Sequence, residues 1–295
     1  MPATIRDQKL SELRTQYHAK ILSKLLGRRG PAGAFSNADS GSKASKEIAE
    51  RMAQRLSAQT HNSPCRKLPS EQTLGNVFAR LTEEFLEAAF RRLHHLRPGD
   101  WVFSTSQDTK GISRHHQYEH LAQLEDLLRQ HPELRSTLGG DYLITPDITV
   151  SRRPVSDQEI NRRGDFVDGS EQLANHAPLR EAVNKTTILH ASISCKWTIR
   201  SDRAQNTRTE ALNLIRNRKG KVPIVAAVTF EPLPTRLASI ALGTGDLDCT
   251  YHGALNELAA AVDGTGNPDQ REMLDTLVHG RRLRDISDLP FDLAT

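Results

Sequence analysis

From Thr187 to Ile199 apolar and polar residues alternate with period two, in a run rich in β-branched side chains, and the pattern reads as a strand. Its faces are unlike. Leu189, Ala191, Ile193, Cys195, Trp197 and Ile199 fall on one side, as burial against helices requires, while His190, Ser192, Ser194, Lys196 and Thr198 fall on the other. Ser194 and Lys196 therefore point the same way. Asp141 to Val150 reads as a second strand interrupted at Pro146, which suits an edge, a bulge or a bend and aims Asp147 out of the sheet.

An aspartate and a lysine at strand ends admit two readings. One is a pair of solvated charges. The other is chemical: hydrolysing a phosphodiester needs a hard divalent ion held by carboxylate oxygen, and a cation near the attacking water and the scissile phosphate. Under that reading Asp147 holds the metal and Lys196 is the cation.

Ser201 to Lys219 has the marks of a helix. Ser201 or Asp202 can cap it, Ala211, Leu212, Leu214 and Ile215 make its second half apolar, Arg216, Arg218 and Lys219 close it, and Gly220 stops it. Its start is unusual. Arg200 and Arg203 lie where the helix dipole is positive, at a cost on the order of a few tenths of a kcal/mol. They are either surface arginines paired with Asp202 or readers of base edges in a major groove. Arginine is bidentate to guanine O6 and N7, and a carboxylate accepts from cytosine N4.

With those residues in view, the chain resembles the NgoMIV-like, CCGG-recognising type II restriction endonucleases of the PD-(D/E)xK nuclease superfamily. The likeness runs through S-N-A-D at 36–39, Q-T-x-G-N-x-F at 72–78, R-P-G-D-W at 97–101, D-Y-x-I-T-P-D-I at 141–148 and the whole of 189–206. It continues to the C-terminus and so covers nearly the full chain. The resemblance implies an α/β restriction-endonuclease-like core, a central mixed β-sheet flanked by helices. It makes Asp147 the metal-binding acid, with the Cys195 main-chain carbonyl as a further ligand, and completes the active site with Ser194 and Lys196. Arg200, Asp202 and Arg203 then read the inner CCGG from the major groove, Asp39 contacts the outer base pair, and Gln72 reaches the DNA from the minor-groove side. Also implied are dependence on Mg2+, double-stranded DNA carrying G/CCGGC as substrate, and 5′ CCGG overhangs. A homotetramer of two back-to-back dimers and a cognate DNA methyltransferase as functional partner complete the expectation.

One position departs from the family. Its catalytic glutamate directly follows the Gly-Asn-x-Phe run, and here that position is Ala79, whose methyl group binds neither a metal nor its waters. Glu83 lies one turn on, and Glu84 and Glu87 are near. Two readings follow: a site-specific endonuclease, using a displaced acid or weakened at Ala79, and a sequence-specific DNA-binding protein of the same fold that does not cut. Asp147 and Lys196 favour the first, because a pure binder needs no metal carboxylate opposite a lysine.

At 295 residues with no long polar linker, the expectation is one elaborated domain, 1–295, with helical and loop additions at its N-terminal side. A net charge of +4 suits a phosphate-binding cleft and equally a solvated surface. The basic clusters Arg208 to Lys221 and Arg281 to Arg284 are dense enough to contact a DNA backbone. Three separated cysteines without C-x-x-C point to a reducing compartment and away from a disulfide frame or a zinc site. No charged leader precedes an apolar core, and no run of about 18 apolar residues occurs, so a cytoplasmic bacterial protein is expected.

The remaining pattern predicts helices at Ile5 to Leu26, Lys46 to Ala58, Gln72 to Leu96, His116 to Arg129, Arg236 to Leu242, Ala254 to Val262 and Arg271 to His279. A buried strand is predicted at Pro223 to Phe230. The Gly-, Ser- and Asn-rich stretch from Arg28 to about Ser42 reads as a mobile loop that orders on DNA. His116 and His120 lack the glutamate of a zinc helix, His94 and His95 complement a helix C-terminus, and Gly243-Thr244-Gly245 reads as a tight turn.

Overall fold

The computed structural model describes residues 8–30, 33–107, 111–131, 133, 144–168, 173–243 and 245–295, with 201–204 described by backbone alone. Six strands form one mixed sheet in the order β1 (Trp101–Thr105), β2 (Ile148–Arg152), β3 (Ile188–Lys196), β4 (Ile224–Thr229), β5 (Cys249–His252) and β6 (Leu283–Asp285). The first three are antiparallel neighbours, and β3 to β6 run parallel. Because β2 opposes β3, the start of β2 lies beside the end of β3. That single reversal builds the site.

The alternation of β3 is realised: Leu189, Ala191, Ile193, Cys195, Trp197 and Ile199 are all buried. The face carrying His190 is covered too, since His190 Nε2 lies 2.8 Å from the Leu293 carbonyl and its ring packs on Trp101. At the centre of the sheet, β4 is buried from Val225 onward, as a strand flanked by parallel neighbours requires.

Ten helices are described: α1 (Leu10–Lys24), α2 (Lys43–Thr60), α3 (Glu71–Arg92), α4 (Glu119–Gln130), the short α5 (Asp157–Ile160), α6 (Ser201–Arg216), α7 (Pro234–Ala241), α8 (Leu255–Thr265), α9 (Pro268–His279) and α10 (Leu289–Ala294). The α1 helix packs on α2 and α3, α2 on α8, and α3 on β1 and β3. Arg14 of α1 fastens this layer to the far edge of the sheet, donating to Glu257 at 2.7 and 2.9 Å and to Asp285 at 2.7 and 2.9 Å. Burial alone pushes the Asp285 carboxyl up, but the Arg14 hydrogen bonds outweigh it and hold the pKa at about 2.

Three sequence expectations are corrected. The strands Trp101–Thr105, Cys249–His252 and Leu283–Asp285 went unpredicted, being short and without sustained alternation. The loop from Arg28 to Ser42 is pinned rather than loose wherever it is described. Ser36 Oγ donates to the Leu25 carbonyl at 2.5 Å, Asn37 Nδ2 to the Phe230 carbonyl at 3.1 Å, and Ser36 and Asn37 are fully buried. The Arg281 to Arg284 cluster is partly taken up inside the molecule, with Arg282 bound to the Ala241 and Gly243 carbonyls and Arg284 to Asp292. Residues 5–7, 141–143 and Thr244, on which other expectations bore, lie outside the described residues. All three cysteines are free, and among the described residues no helix is long and apolar enough to cross a membrane.

Candidate active site and DNA-reading groove

The β2–β3 ladder ends at Ile148–Ile193. Pro146, buried and without an N–H, turns the chain away there. Beyond that point the Asp147 carboxylate replaces a strand as the partner of β3. Its Oδ2 accepts from Cys195 N at 2.8 Å, from Lys196 Nζ at 3.2 Å and from Ser194 Oγ at 3.5 Å. The Asp147 carbonyl is held by Ser106 N at 3.0 Å. Four of the sequence-predicted residues are thus brought together by one strand end.

A second carboxylate, which the sequence reading missed, comes from α6. Glu210 lines the same pocket of about 280 Å³ as Asp147, Lys196, Asn206, Gln72 and Asn76. Withdrawal from bulk water raises its pKa, Lys196 lowers it, and Asp147 raises it again. The available signal was helical spacing: Asn206 and Glu210 are four apart on the helix that leaves the lysine strand, so one face carries both. A magnesium-type ion commonly takes one or two carboxylates and keeps several waters. Asp147 and Glu210, with the Cys195 main chain beside them, suit such an ion. Among the described residues no group of three or more His, Cys, Asp or Glu side chains is placed to hold a metal without that help.

Position 79 lies behind the pocket. Gln72, Gly75 and Asn76 line it, and Ala79 continues that face of α3 by one turn, 4 % exposed. Glu83 is buried another turn on and is not among the lining residues. Glu84 pairs with Lys20, and Glu87 with Arg91. Of Glu83, Glu84, Glu87 and Glu210, only Glu210, on a different helix, lines the pocket with Asp147 and Lys196.

Arg200 stands at the N-terminus of α6, exposed, and lines both this pocket and an adjoining groove with Asp39, Arg236 and Arg29. Asp202 and Arg203 follow in the first turn of α6, where backbone alone is described. Asp39 is fixed from three sides: its N donates to Ser45 Oγ, Oδ1 accepts from Gly41 N at 2.9 Å, and Oδ2 pairs with Arg236. The Gly41 N–H, with Arg236 and Arg200, holds its carboxyl below the usual range against the opposing effect of burial. Arg236 was also missed, although it carries the anomaly that singled out Arg200, an arginine in the first turn of a helix.

Aromatic rings support this turn from below. Trp197 stacks on Phe230 at 5.0 Å, and Phe78 of α3 meets Trp197 edge-on at 5.3 Å. Gly253 makes room for Phe230, since a Cβ there would come within 2.7 Å of the ring.

A mixed sheet carrying an acid and a lysine at one strand end, beside an arginine-lined groove, has the residue types that hydrolysis of a phosphodiester calls for. Comparison with known proteins narrows this. The chain belongs to the NgoMIV restriction enzyme family, whose model matches residues 17–295. A curated relative from Neisseria gonorrhoeae, the type II restriction enzyme NgoMIV, is 46% identical over 280 residues, 94% of this chain and 96% of its own length. Two solved structures also align. One is a complex of restriction endonuclease PspGI with substrate DNA, at 12% identity over 97% of this chain and 92% of that one, with a TM-score of 0.31. The other is the type IIF restriction endonuclease Bse634I with cognate DNA, at 11% identity over 96% and 92%, with a TM-score of 0.36. Likenesses this slight assign no residue.

Proposed function

We propose that this chain is a magnesium-dependent type II restriction endonuclease that hydrolyses double-stranded DNA at G/CCGGC and leaves 5′ CCGG overhangs. The observation that carries the reading is continuity. The pocket holding Asp147, Lys196 and Glu210 and the groove holding Asp39 and Arg236 share Arg29, Thr198 and Arg200, so a duplex read by the arginines lays a phosphate on the acids.

A bound divalent ion supplies Lewis acidity and a more acidic water. The protein does the rest. Asp147 and Glu210 would hold the ion with the Cys195 carbonyl, and the Ser194 hydroxyl donates to Asp147 and keeps its carboxylate aimed. Lys196, whose Nζ lies 3.2 Å from Asp147 Oδ2, would present its ammonium to the scissile phosphate and stabilise developing negative charge there. Arg200, Asp202 and Arg203 read the inner CCGG, Asp39 reads the outer pair with Arg236 beside it, and Gln72, on the pocket's α3 wall, meets the minor groove.

The reading extends to a single domain, 1–295, working in the cytoplasm as a homotetramer alongside a protecting methyltransferase. A palindromic target calls for two-fold symmetry. Phe166 and Leu173, 84 % and 64 % exposed on the segment between β2 and β3, are apolar surface suited to a second copy. Ala79 favours a second reading, a DNA binder that has lost cleavage.

The test is a digest of plasmid carrying GCCGGC with and without magnesium. Cutting at that sequence alone, with the stated overhang, supports the endonuclease. Tight, sequence-selective binding with no product after prolonged digestion supports the binder.

A further inference from the structure

Two helices bring arginines to the groove. Arg200 is the N-cap of α6 and Leu233 that of α7, and neither N-cap side chain accepts an N–H; at α7 Gln270 Oε1 takes the Thr235 N–H instead, at 3.2 Å. A carboxylate from outside both helices joins the two turns that lead into them. Glu231, fully buried in the turn after β4, accepts Ile199 N on Oε2 at 2.9 Å and Leu233 N on Oε1 at 3.2 Å. Ile199 directly precedes Arg200, and Leu233 opens the turn of α7 that carries Arg236.

The same short turn holds the third recognition element. The carbonyl of Phe230 accepts Asn37 Nδ2 at 3.1 Å, two residues from Asp39. His252 Nε2 lies 3.1 Å from the Glu231 carbonyl, and Thr229 Oγ1 accepts Glu231 N at 3.2 Å. Glu231 itself is thereby fixed by β4 and β5. A buried carboxylate is costly to place. An apolar side chain would fill the same space without that cost, so the acceptors matter at this position.

We propose that Glu231 is a positioning residue for base recognition: its two carboxylate oxygens hold the Arg200 turn and the Arg236 turn in one fixed relation, so that inner and outer base pairs are read in register. The inference rests on the base-reading groove described above. Glu231 touches no DNA. It acts through the N–H groups of Ile199 and Leu233, and through the helix starts that those groups precede.

The charge on Glu231 offers a readout that simple support would not move. Burial pushes its pKa up to about 7, while the Ile199 N–H, Arg236 and the Leu233 N–H pull it down and Asp39 pushes it up. Of the other titratable groups around it, Asp39 is held below the usual range and burial drives His252 to about 4, so neither changes charge between pH 6 and 8. A protonated carboxyl, like the amide of glutamine, presents one acceptor and one donor to two N–H groups.

The experiment measures binding of the full chain without metal to a GCCGGC duplex and to a scrambled duplex, from pH 6 to 8, with thermal melting alongside. In the wild type, preference for GCCGGC should rise roughly five- to tenfold with pH while scrambled binding stays flat. Glu231→Gln should hold the low-pH preference at every pH, with scrambled binding unchanged. A Glu231→Gln protein that keeps the wild-type preference and profile overturns the inference, as does a flat wild-type profile, which needs no variant to fold. A wild type with no preference for GCCGGC at any pH instead overturns the base-reading groove itself.

Discussion

Lys196 Nζ lies 3.2 Å from Asp147 Oδ2, although Lys196 ends β3 and Asp147 directly precedes β2, a strand that runs the opposite way. The contact exists because β2 starts where β3 ends. It places a cation and an anion, 20 % and 32 % exposed, at the rim of a pocket rather than in the interior, where pairing would be an end in itself. Lys196→Ala and Asp147→Asn should each lower cleavage of GCCGGC plasmid by roughly 10²- to 10³-fold, with metal-free binding to the same duplex within about threefold of wild type. Glu210→Gln should act in the same direction. Full cleavage by Glu210→Gln would remove that residue from the reaction.

Base reading separates from phosphate binding in the arginines. Arg200→Ala and Arg203→Ala should each cost roughly 1–3 kcal/mol on GCCGGC and far less on a scrambled duplex. Equal losses on both would reduce them to backbone contacts. Asp202→Ala should relax discrimination at the cytosines, measured by competition with single-substitution duplexes.

At position 79 we expect Ala79→Glu to raise magnesium-dependent cleavage by roughly 10²- to 10³-fold, the order attached to a single charge-stabilising group, and to leave metal-free affinity unchanged. A variant that folds as wild type does and cuts no faster shows that Asp147 and Glu210 suffice.

Acid should weaken the fold before it reaches the carboxylates. Burial lowers His115, His190 and His252 from 6.5 to about 4. The unfolded chain therefore takes up these protons first. Their contribution is intact above about pH 6.5 and is lost as pH falls towards 4, by about 3 kcal/mol at most for each histidine. Glu231 works in the opposite sense: with its pKa raised from 4.5 to about 7, it protonates earlier in the folded state and offsets about one histidine. Three against one leaves a net loss, so the urea midpoint should be lower at pH 5 than at pH 7.5. A midpoint unchanged or higher at pH 5 contradicts the assignment.

Assembly is checked by sedimentation at micromolar protein, where a tetramer is expected. Phe166→Ser together with Leu173→Ser should shift it towards smaller species. Only monomer, with and without DNA, rules out the tetramer.

How far the sequence could be read depended on how local each cause was. The β3 alternation is local, and it placed Ser194, Cys195 and Lys196 correctly; Pro146 likewise signalled the bend that aims Asp147. Glu210 was hidden among the polar residues of a helix whose apolar face drew the attention. Arg236 sits on a short helix with nothing nearby in sequence to mark its pairing with Asp39. Glu231 could not be found at all from sequence, because its partners, Ile199 and Leu233, offer main-chain N–H groups that every non-proline residue has. The 28–42 stretch misled for the converse reason: serine and asparagine that suit a loose loop also supply the hydrogen bonds that tie one down.

Arg14 reaches Asp285 across 271 residues of sequence, and α1 meets the sheet through that grip. The strand that carries Asp285 must therefore be in place before the Arg14 grip is complete. Contacts of such span are slow to form, because loop closure comes before their reward. A chain broken off before β6 keeps the packing of α1 on α2 and α3 and the Arg14–Glu257 pair but loses Asp285, so one carboxylate in place of two ties its first layer to the sheet edge.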